Sequence, residues 1–515
     1  MKSLNDFFKN NLTYFIVVLI VLLSLIGYFF RPYLHSFFIF FYINPVILQS
    51  LIIAAVVLFI SYFYVYKKNI ISAINLSLVV FTVFFIFGMF LSSIYTNLDL
   101  SNEVMSNHNL IETLPDIDHE NPRILPRVVA EEYAENSLQE PRYKTGESDI
   151  SFIDGKPYWM QSLVPDGTLN KFLLKQKGAV FVDMTTISPN IFYDNTEMTY
   201  GEGMLITDNL YWQLLKGQYF VKYQDSFVFN HDNNTYLATP YIDYEYRFKF
   251  PIFYTIPKFG GISLADSDGN IDFIESENIE NDERLNDQRV YPYDLAHKYI
   301  SSTEYRNGII NKLFFHENQL EVAEIPGRGN DQPFTIVTED GPKLFIATEP
   351  YGEASGLFEV WIIDGKTGDY ELFKLDRDQG LIGANRAMNY VRRANSRVNW
   401  ADRTSDTGFI PVEPLPVIVD DVLYWQVRIV PLDSAGIAFT SFVNSKDGSV
   451  YSAETDEEIY DFLSGKEIDE SIDIGDETEI MPDEGFTLKI IEDDLVINEF
   501  QIKKGQTIKI EWLLY

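Results

Sequence analysis

The amino-acid sequence predicts an α+β protein with three N-terminal transmembrane helices, a repeated helix-plus-antiparallel-sheet ectodomain and a small C-terminal β module. Three observations predict this class. Apolar runs fill the first hundred residues, one strand motif recurs along the rest of the chain, and the last 31 residues return to strand patterning. At 515 residues the chain is too long for one ordinary hydrophobic core, so several units are expected.

Three apolar runs predict a membrane anchor over residues 1–97. They are Leu12 to Phe30, a stretch within Phe37 to Tyr66, and Ile70 to Tyr95, and each holds eighteen or more residues without a charged side chain. A helix of that length crosses the roughly 30 Å of hydrocarbon in a bilayer. The part of the second run before Pro45 is expected to lie in the interface and to break at the proline. None of the runs carries an acid or base, which argues against an ion path.

The positions of the cations predict the orientation of this anchor in the cell membrane. Lys2 and Lys9 precede the first run, and Lys67 and Lys68 lie between the second and the third, whereas the first loop has Arg31 alone. Lysine and arginine concentrate in cytoplasmic loops. We therefore expect a cytoplasmic N-terminus and an extracytoplasmic location for all residues after about 97.

Charge and composition narrow the possible partners of the body. The chain carries 40 Lys and Arg against 75 Asp and Glu, and only two of these acids fall in the first hundred residues. A body this acidic repels nucleic acid, and we therefore expect no nucleic-acid partner. The absence of cysteine excludes disulfides, thiol catalysis and cysteine-ligated metals.

One motif, an acidic turn followed by a strand with paired large apolar residues and a proline, recurs along the body. Its copies are "DGKPYWMQSLVP" (154–165), "DGPKLFIATEP" (340–350), "DDVLYWQVRIVP" (420–431) and a fainter "DNNTYLATP" (232–240). A second strand ending in a hairpin-type turn follows each copy, and a helical stretch precedes several of them. Repetition at intervals of this length is typical of duplicated small α+β domains rather than of a solenoid.

These intervals predict the domain boundaries. After a polar linker (98–125) we expect a first pair of α+β repeats (126–285), a third repeat (286–380) and a fourth (381–453). The segment 454–484 is rich in acidic residues, contains one lysine and predicts a linker. The segment 485–515 predicts two or three strands of a terminal β module.

The stretches "YWQVRIV…FTSFVNSKDGSVYSA" and "LFEVWIIDGKTGDYELF" resemble the PepSY-type domain, in which a helix packs on a small antiparallel sheet that ends in such a hairpin. The resemblance covers about 40 residues at a time, and two copies lack the Lys-x-Gly turn. It implies tandem PepSY-like domains that are extracytoplasmic and non-catalytic, with proposed roles in restraining peptidases or binding envelope partners. No functional residue of that family carries over to this chain.

One loop offers a candidate metal site. In "DSDGNIDFIE" the residues Asp266, Asp268, Asp272 and Glu275 follow the spacing of a calcium-binding EF-hand loop. The first ligand position is Leu264, however, and the flanking segments have strand patterning. An ordinary hairpin turn is therefore expected, with a weak calcium site as the alternative and no other cofactor.

The sequence contains no complete catalytic motif, so no catalytic residue is assigned and an enzyme is not favoured. The aromatic stretch 241–254, "YIDYEYRFKFPIFY", is expected to be a half-buried strand, with sugar stacking or strand addition as alternatives. The function expected is a membrane-anchored scaffold or binding protein that contacts the lipid bilayer and an envelope or membrane protein. The alternatives are an envelope hydrolase using paired carboxylates and a sensor that acts through a partner.

Overall fold

A computed structural model gives the architecture of the chain. It describes residues 12–65, 69–352, 356–375, 380–401, 407–420, 422–466, 486–492 and 495–502.

The N-terminal part is helical, and its apolar helices are long enough to cross a membrane. Its helices are α1 (Leu12–Phe29), α2 (Arg31–Ile43), α3 (Pro45–Ile60, continued by a π-helical turn to Val65) and α4 (Ile70–Asn107). By length and composition, α3 with its π turn and α4 each qualify as a span, and α1 with α2 forms a third candidate bent by 92°. The predicted break at Pro45 is confirmed, because α3 begins at that proline, which needs no N–H partner there.

Helix α4 overturns the predicted polar linker at its beginning. Residues 98–107 continue the same 38-residue helix without a break. The stretch contains no proline or glycine, and Leu100 and Val104 are buried in a cluster with Tyr299 and Trp361 of the body. A hydrophobic face turned toward the body therefore extends the helix well past the apolar run.

The described part of the body (residues 109–466) contains four main sheets, of which the first, second and fourth are antiparallel and the third is mixed. The first comprises β2 (Tyr143–Ile153), β3 (Lys156–Pro165), β4 (Lys177–Asp183) and β5 (Ile191–Tyr193). The second comprises β6 (Lys222–Tyr223), β7 (Phe227–His231), β8 (Asn234–Lys249), β9 (Ile252–Asp266) and β10 (Ile271–Glu275). The third is built on β12 (Phe334–Thr338), β13 (Gly341–Pro350), β15 (Glu359–Asp364) and β16 (Tyr370–Lys374). The fourth comprises β18 (Phe409–Val419), β19 (Val422–Pro431), β20 (Phe439–Asn444) and β21 (Val450–Ala453).

Each sheet contains four strands that neighbour one another in chain order. Among the described residues, β1 (Asn109–Ile111) and β11 (Leu320–Val322) extend the third sheet, and β14 (Gly356–Leu357) pairs with β17 (Leu381–Ile382). Helices α5 (Arg127–Ser137), α7 (Leu210–Gly217), α8 (Tyr293–Ser302) and α9 (Ala384–Ala394) precede the four sheets in turn, and the short α6 (Asn170–Leu173) lies between β3 and β4.

The first and fourth sheets share two local details. The first strand of each has a β-bulge, between Thr145 and Ser148 in β2 and between Val412 and Leu415 in β18. The tryptophan of each "YW" pair donates its indole N–H to a carbonyl two residues before a helix. Trp159 bonds Leu125 O at 2.8 Å, and Trp425 bonds Ile382 O at 2.7 Å. These bonds fix the entry of α5 and α9 onto their sheets.

The hydrophobic cores lie between the sheets as well as under the helices. One cluster joins Phe345 of the third sheet to Trp425 of the fourth and Met388 of α9. A second joins Phe181 of the first sheet to Phe229 of the second. The sheets therefore stabilise one another by shared burial.

The predicted acidic linker begins with ordered structure. Helix α10 (Asp456–Leu463) starts with a capping box between Thr455 and Glu458, and its Ile459 and Leu463 are buried against the fourth sheet. Net charge alone does not reveal this amphipathic spacing. Residues 467–484 lie outside the described residues, and the terminal β module is represented by the hairpin of β22 (Phe486–Glu492) and β23 (Leu495–Ile502).

Candidate functional site

A polar cleft of about 380 Å³ lies where the first, third and fourth sheets meet. Its walls come from α5, β2, α8, the segment before β12, and β18. The lining residues are Arg123, Arg127, Ser148, Asp149, Trp159, Tyr293, Asp294, His297, Lys298, Gly329, Asp331, Gln332, Pro333, Phe334, Thr335 and Glu413.

A buried ion pair forms the floor of the cleft. Arg123 contacts the Glu413 carboxylate at 2.5 Å, with side-chain exposures of 6% and 2%, and donates to Thr335 O at 2.6 Å. The second oxygen of Glu413 accepts the backbone N–H of Arg127 at 2.8 Å. Arg123 Nε has no hydrogen-bond partner among the described residues. The charges are thus compensated, as burial requires.

A second buried arginine, Arg428, hydrogen-bonds the backbone around this ion pair. Arg428 is fully buried, and its guanidinium donates to the carbonyls of Ile124, Glu413 and Arg123. Burial, followed by the charge of Arg123, lowers the pKa of Arg428 to about 9, so it remains protonated at neutral pH. Arg428 thereby links the fourth sheet to the segment before α5 through two backbone acceptors, Arg123 O and Ile124 O.

The two β-bulges place buried charged side chains in the floor and wall of the cleft. Glu413 lies in the β18 bulge with a φ of 44°, a left-handed conformation that is uncommon for glutamate. Ser148 and Asp149 follow the bulge of β2. Bulges redirect side chains locally, and strained backbone concentrates at functional sites.

The remaining wall contains a second buried pair. Asp149 contacts Arg289 at 2.6 Å, and the Arg289 guanidinium lies 4.0 Å from the centre of the Tyr293 ring. Burial alone would lower the pKa of Arg289, but the carboxylate of Asp149 holds it above its usual value. The Tyr293 hydroxyl is 2.6 Å from Thr335 Oγ1. These contacts fix the tyrosine ring in the wall.

The open side of the cleft carries charged side chains of both signs. Asp294, His297 and Lys298 are exposed on α8, and Arg127 is 44% exposed on α5. The buried carboxylates are engaged with arginines, so the geometry suits recognition by hydrogen bonds and charge pairing more than acid–base chemistry.

The structure does not bring the predicted calcium ligands together into a metal site. Asp266 accepts hydrogen bonds from Asn270 N and Nδ2, which closes the β9–β10 turn. Asp272 contacts Arg284 at 3.1 Å, and Glu275 lies three residues further along β10, opposite Gly261. Asp268 is exposed in the turn. Across the described ranges, no group of three or more His, Cys, Asp or Glu could hold a metal ion.

The cleft residues were not identified from the sequence. Their contacts join positions up to 305 residues apart, as Arg428 to Arg123 O, and single-sequence patterning carries no such information. One signal was present: an arginine inside the apolar run "YWQVRIV" is unexpected unless its charge is paired or its donors are bonded.

Comparisons with known proteins give no relative from which to assign this cleft. No family model and no curated protein matches the chain. Two solved structures align with 68% of this chain and 83% of their own, each at a TM-score of 0.17. One is a glycosyl hydrolase from Bacteroides ovatus, at 8% identity. The other is from the mannoside phosphorylase family containing glycoside hydrolases that target β-1,2 mannosidic linkages in Candida mannan, at 10% identity. Similarity this low carries no argument about fold or function.

Proposed function

We propose that this protein is a membrane-anchored extracytoplasmic binding or scaffold protein, non-catalytic, that contacts an envelope or membrane protein partner. The N-terminus is cytoplasmic in this proposal, and the body lies outside. Two apolar helices, or three with the bent pair, support the anchor. The cations Lys67 and Lys68 support the orientation, because in the sequence they precede α4, whereas the body follows it.

The body of this proposed protein consists of four duplicated PepSY-like units. The common strand order of the four sheets supports duplication, as do the matching bulges and the matching tryptophan bonds in the first and fourth. The second unit differs by its long central hairpin, β8–β9. Duplicated domains that share cores offer grooves at their junctions, and the cleft is one of these.

The observation that carries the proposal is the state of the charged groups in the cleft. Its buried carboxylates, Asp149 and Glu413, are each neutralised by an arginine. The exposed charged side chains lie at the mouth. Two of them form surface ion pairs, Asp294 with Lys222 at 3.1 Å and Arg127 with Glu131 at 2.8 Å, and such exposed pairs contribute little free energy for a charged partner to displace. A polar peptide segment with charges of both signs would complement this mouth through hydrogen bonds and ion pairs.

The test is isolation of the full-length protein from its native membranes in mild detergent, with partners identified by mass spectrometry. We expect a stoichiometric membrane or envelope partner. The double variant Asp294→Lys/Lys298→Glu reverses the charges at the mouth without changing net charge, and it should lose that partner. The matched control Glu283→Lys/Lys446→Glu reverses two charges outside the lining and should keep it. A protein that elutes alone from cross-linked membranes would contradict the proposal.

One observation favours a second candidate, an envelope hydrolase. Burial, with a smaller contribution from the charge of Asp225, raises the pKa of Glu202 to about 7, the range of a general acid. Assay of the purified full-length protein against envelope glycans and peptides tests this reading. Activity that disappears in Glu202→Gln would support it, and absence of turnover on every substrate would remove it.

A further inference from the structure

The long hairpin of the second sheet ends in an exposed aromatic tip. Strands β8 and β9 continue past the rest of that sheet and turn at Phe250 and Pro251. Phe248, Phe250 and Phe253 are 57%, 82% and 46% exposed. Three large rings with free faces on one turn need an apolar environment or a partner surface.

The tip contacts the apolar helices rather than projecting into solvent. Gln49 of α3 donates its Nε2 to Pro251 O at 2.8 Å and accepts Phe253 N–H through Oε1 at 3.1 Å. Tyr95 of α4 donates its hydroxyl to Phe250 O at 3.3 Å. The helices therefore supply hydrogen bonds to the backbone of the turn.

Packing places the tip beside the interior of these helices. A Cβ at Gly88 would lie 2.6 Å from Val46 Cγ1 and 3.7 Å from Ile252 Cγ2, so the glycine allows α3, α4 and the hairpin to meet closely. Gly88 is eighteen residues after Ile70, or about 27 Å along a helix axis, within the roughly 30 Å of hydrocarbon that a span crosses. In the proposed anchor, with the span beginning at Ile70, Ile252 is therefore at the depth of the outer hydrocarbon.

We propose that the tip, residues 248–253, enters the outer leaflet of the bilayer, with its phenylalanine rings in lipid and its backbone bonded by Gln49 and Tyr95. This rests on the membrane anchor of the proposed function. Exposed backbone polar groups are strongly unfavourable in hydrocarbon, and the helix side chains provide the partners that water cannot. No soluble partner is needed to cover the rings.

The residues flanking the tip fit this position. Arg247, just before the tip, and Lys249, within it, lie on the other face of β8 from Phe248, and both approach Asp99, at 3.9 and 4.0 Å. Such long cationic side chains can extend to the headgroup layer. Tyr246 donates its hydroxyl to Tyr42 O at 2.7 Å, and the Tyr42 ring stacks on Phe220. Tyrosines are typical of the level where hydrocarbon meets water.

Spin labelling tests the proposal directly, because a chain without cysteine accepts single engineered cysteines. Full-length Phe250→Cys would be labelled with a nitroxide and placed in phosphatidylcholine–phosphatidylglycerol vesicles. We expect high accessibility to oxygen and at least about fivefold lower accessibility to a water-soluble nickel reagent than at the control Asp268→Cys. Asp268 is exposed in the turn at the opposite end of β9, about 46 Å along the strand.

A third label separates failure of this inference from failure of the anchor. Ile86 is 63% exposed on α4 within the apolar run. If the label at residue 250 is accessible to the nickel reagent while the label at Ile86→Cys is accessible only to oxygen, the inference is overturned and the anchor stands. Aqueous labels at both would overturn the anchor as well.

The role of Gln49 has its own measurement. Gln49→Leu keeps the helix apolar but removes both bonds to the turn, so the label at residue 250 should become at least about twofold more mobile. Thr82→Val removes a side-chain hydrogen bond within α4 and should leave that mobility unchanged. Equal mobility in the two variants would overturn the assigned role of Gln49.

Discussion

Trp159 and Trp425 illustrate at the residue scale how a duplicated sequence motif is used. Each donates its indole N–H to the chain just before a helix, whereas the buried Trp361 has no partner for its indole N–H in the described part of the chain. Hydrogen bonding therefore distinguishes the two motif tryptophans from a tryptophan that is buried to a similar degree.

We expect Trp159→Phe and Trp425→Phe to reduce the free energy of unfolding by about 1 kcal/mol more than Trp361→Phe. All three changes remove similar volume, but only the first two leave a buried carbonyl without its donor. Chemical denaturation of the full-length protein in detergent measures the difference. Equal losses in the three variants would show that the two indole bonds do not matter for stability.

Arg428 is the residue on which the floor of the cleft depends most. Arg428→Leu leaves three buried carbonyl groups without a donor, so we expect a loss of about 3 kcal/mol in the free energy of unfolding. Thermal unfolding provides the measurement, and Arg392→Leu, at an exposed position on α9, is the control. A shift no larger than that of the control would be incompatible with the network described.

Glu349 predicts a pH dependence. Burial and the directly opposed Glu321 raise the pKa of Glu349 from 4.5 to about 7. In the unfolded chain this carboxyl loses its proton near pH 4.5, whereas in the folded chain it keeps it to about pH 7. Stability therefore falls as pH rises between these two values and stays lower above them.

Glu349→Gln should remove that loss. We expect the variant to be about 1 kcal/mol more stable than the parent at pH 8 and nearly equal to it at pH 5, a discounted figure because the group is partly exposed. Unfolding curves at the two pH values test this, with exposed Glu283→Gln as control. A gain of the same size at pH 5 would indicate a cause other than this ionisation.

At the scale of elements, α4 connects the apolar span to the body as one continuous helix. Asn102→Pro places a proline in its interior, beyond the apolar run, and should cost about 3 kcal/mol or more, because it removes a helix hydrogen bond and introduces a clash. In this variant, double electron–electron resonance between spin labels at residues 86 and 268 should give a broadened distance distribution. Asn102→Ala is the matched control and should leave the distribution narrow; broadening in both would point to the side chain of Asn102 instead.

The elements also show what one sequence can reveal. The apolar runs predicted α3, α4 and the break at Pro45, and the recurring strand motif predicted the hairpins, because period and turn chemistry are local. The extension of α4 to Asn107 and the ordered α10 were missed, since their buried faces are recognised only against the surfaces that cover them. The cleft was missed for the same reason: Arg123, Glu413 and Arg428 meet only after folding.

The whole molecule carries a formal net charge of −35, which places many like charges at close range. Higher ionic strength screens such repulsion. We expect the melting temperature to rise by a few degrees between about 20 mM and 0.5 M sodium chloride.

We would neutralise four exposed acids with the changes Asp154→Asn, Asp232→Asn, Asp268→Asn and Glu283→Gln. This variant should have a higher melting temperature at low salt and a smaller rise in melting temperature with added salt. A salt response that does not change in this variant would assign the effect to hydrophobic burial rather than to charge.

The body is held against the apolar helices at several separated places: the unbroken α4, the turn bonded by Gln49, and Thr255, which donates to Ile43 O and accepts from Thr96. Such attachment restricts tilt and rotation of the body relative to the helices before a partner binds. A molecule sharing the same bilayer would then search for the cleft in two dimensions and meet it at one height and one angle. Much of the orientational entropy that binding normally loses would already be lost, so even a small contact area could support a lasting complex.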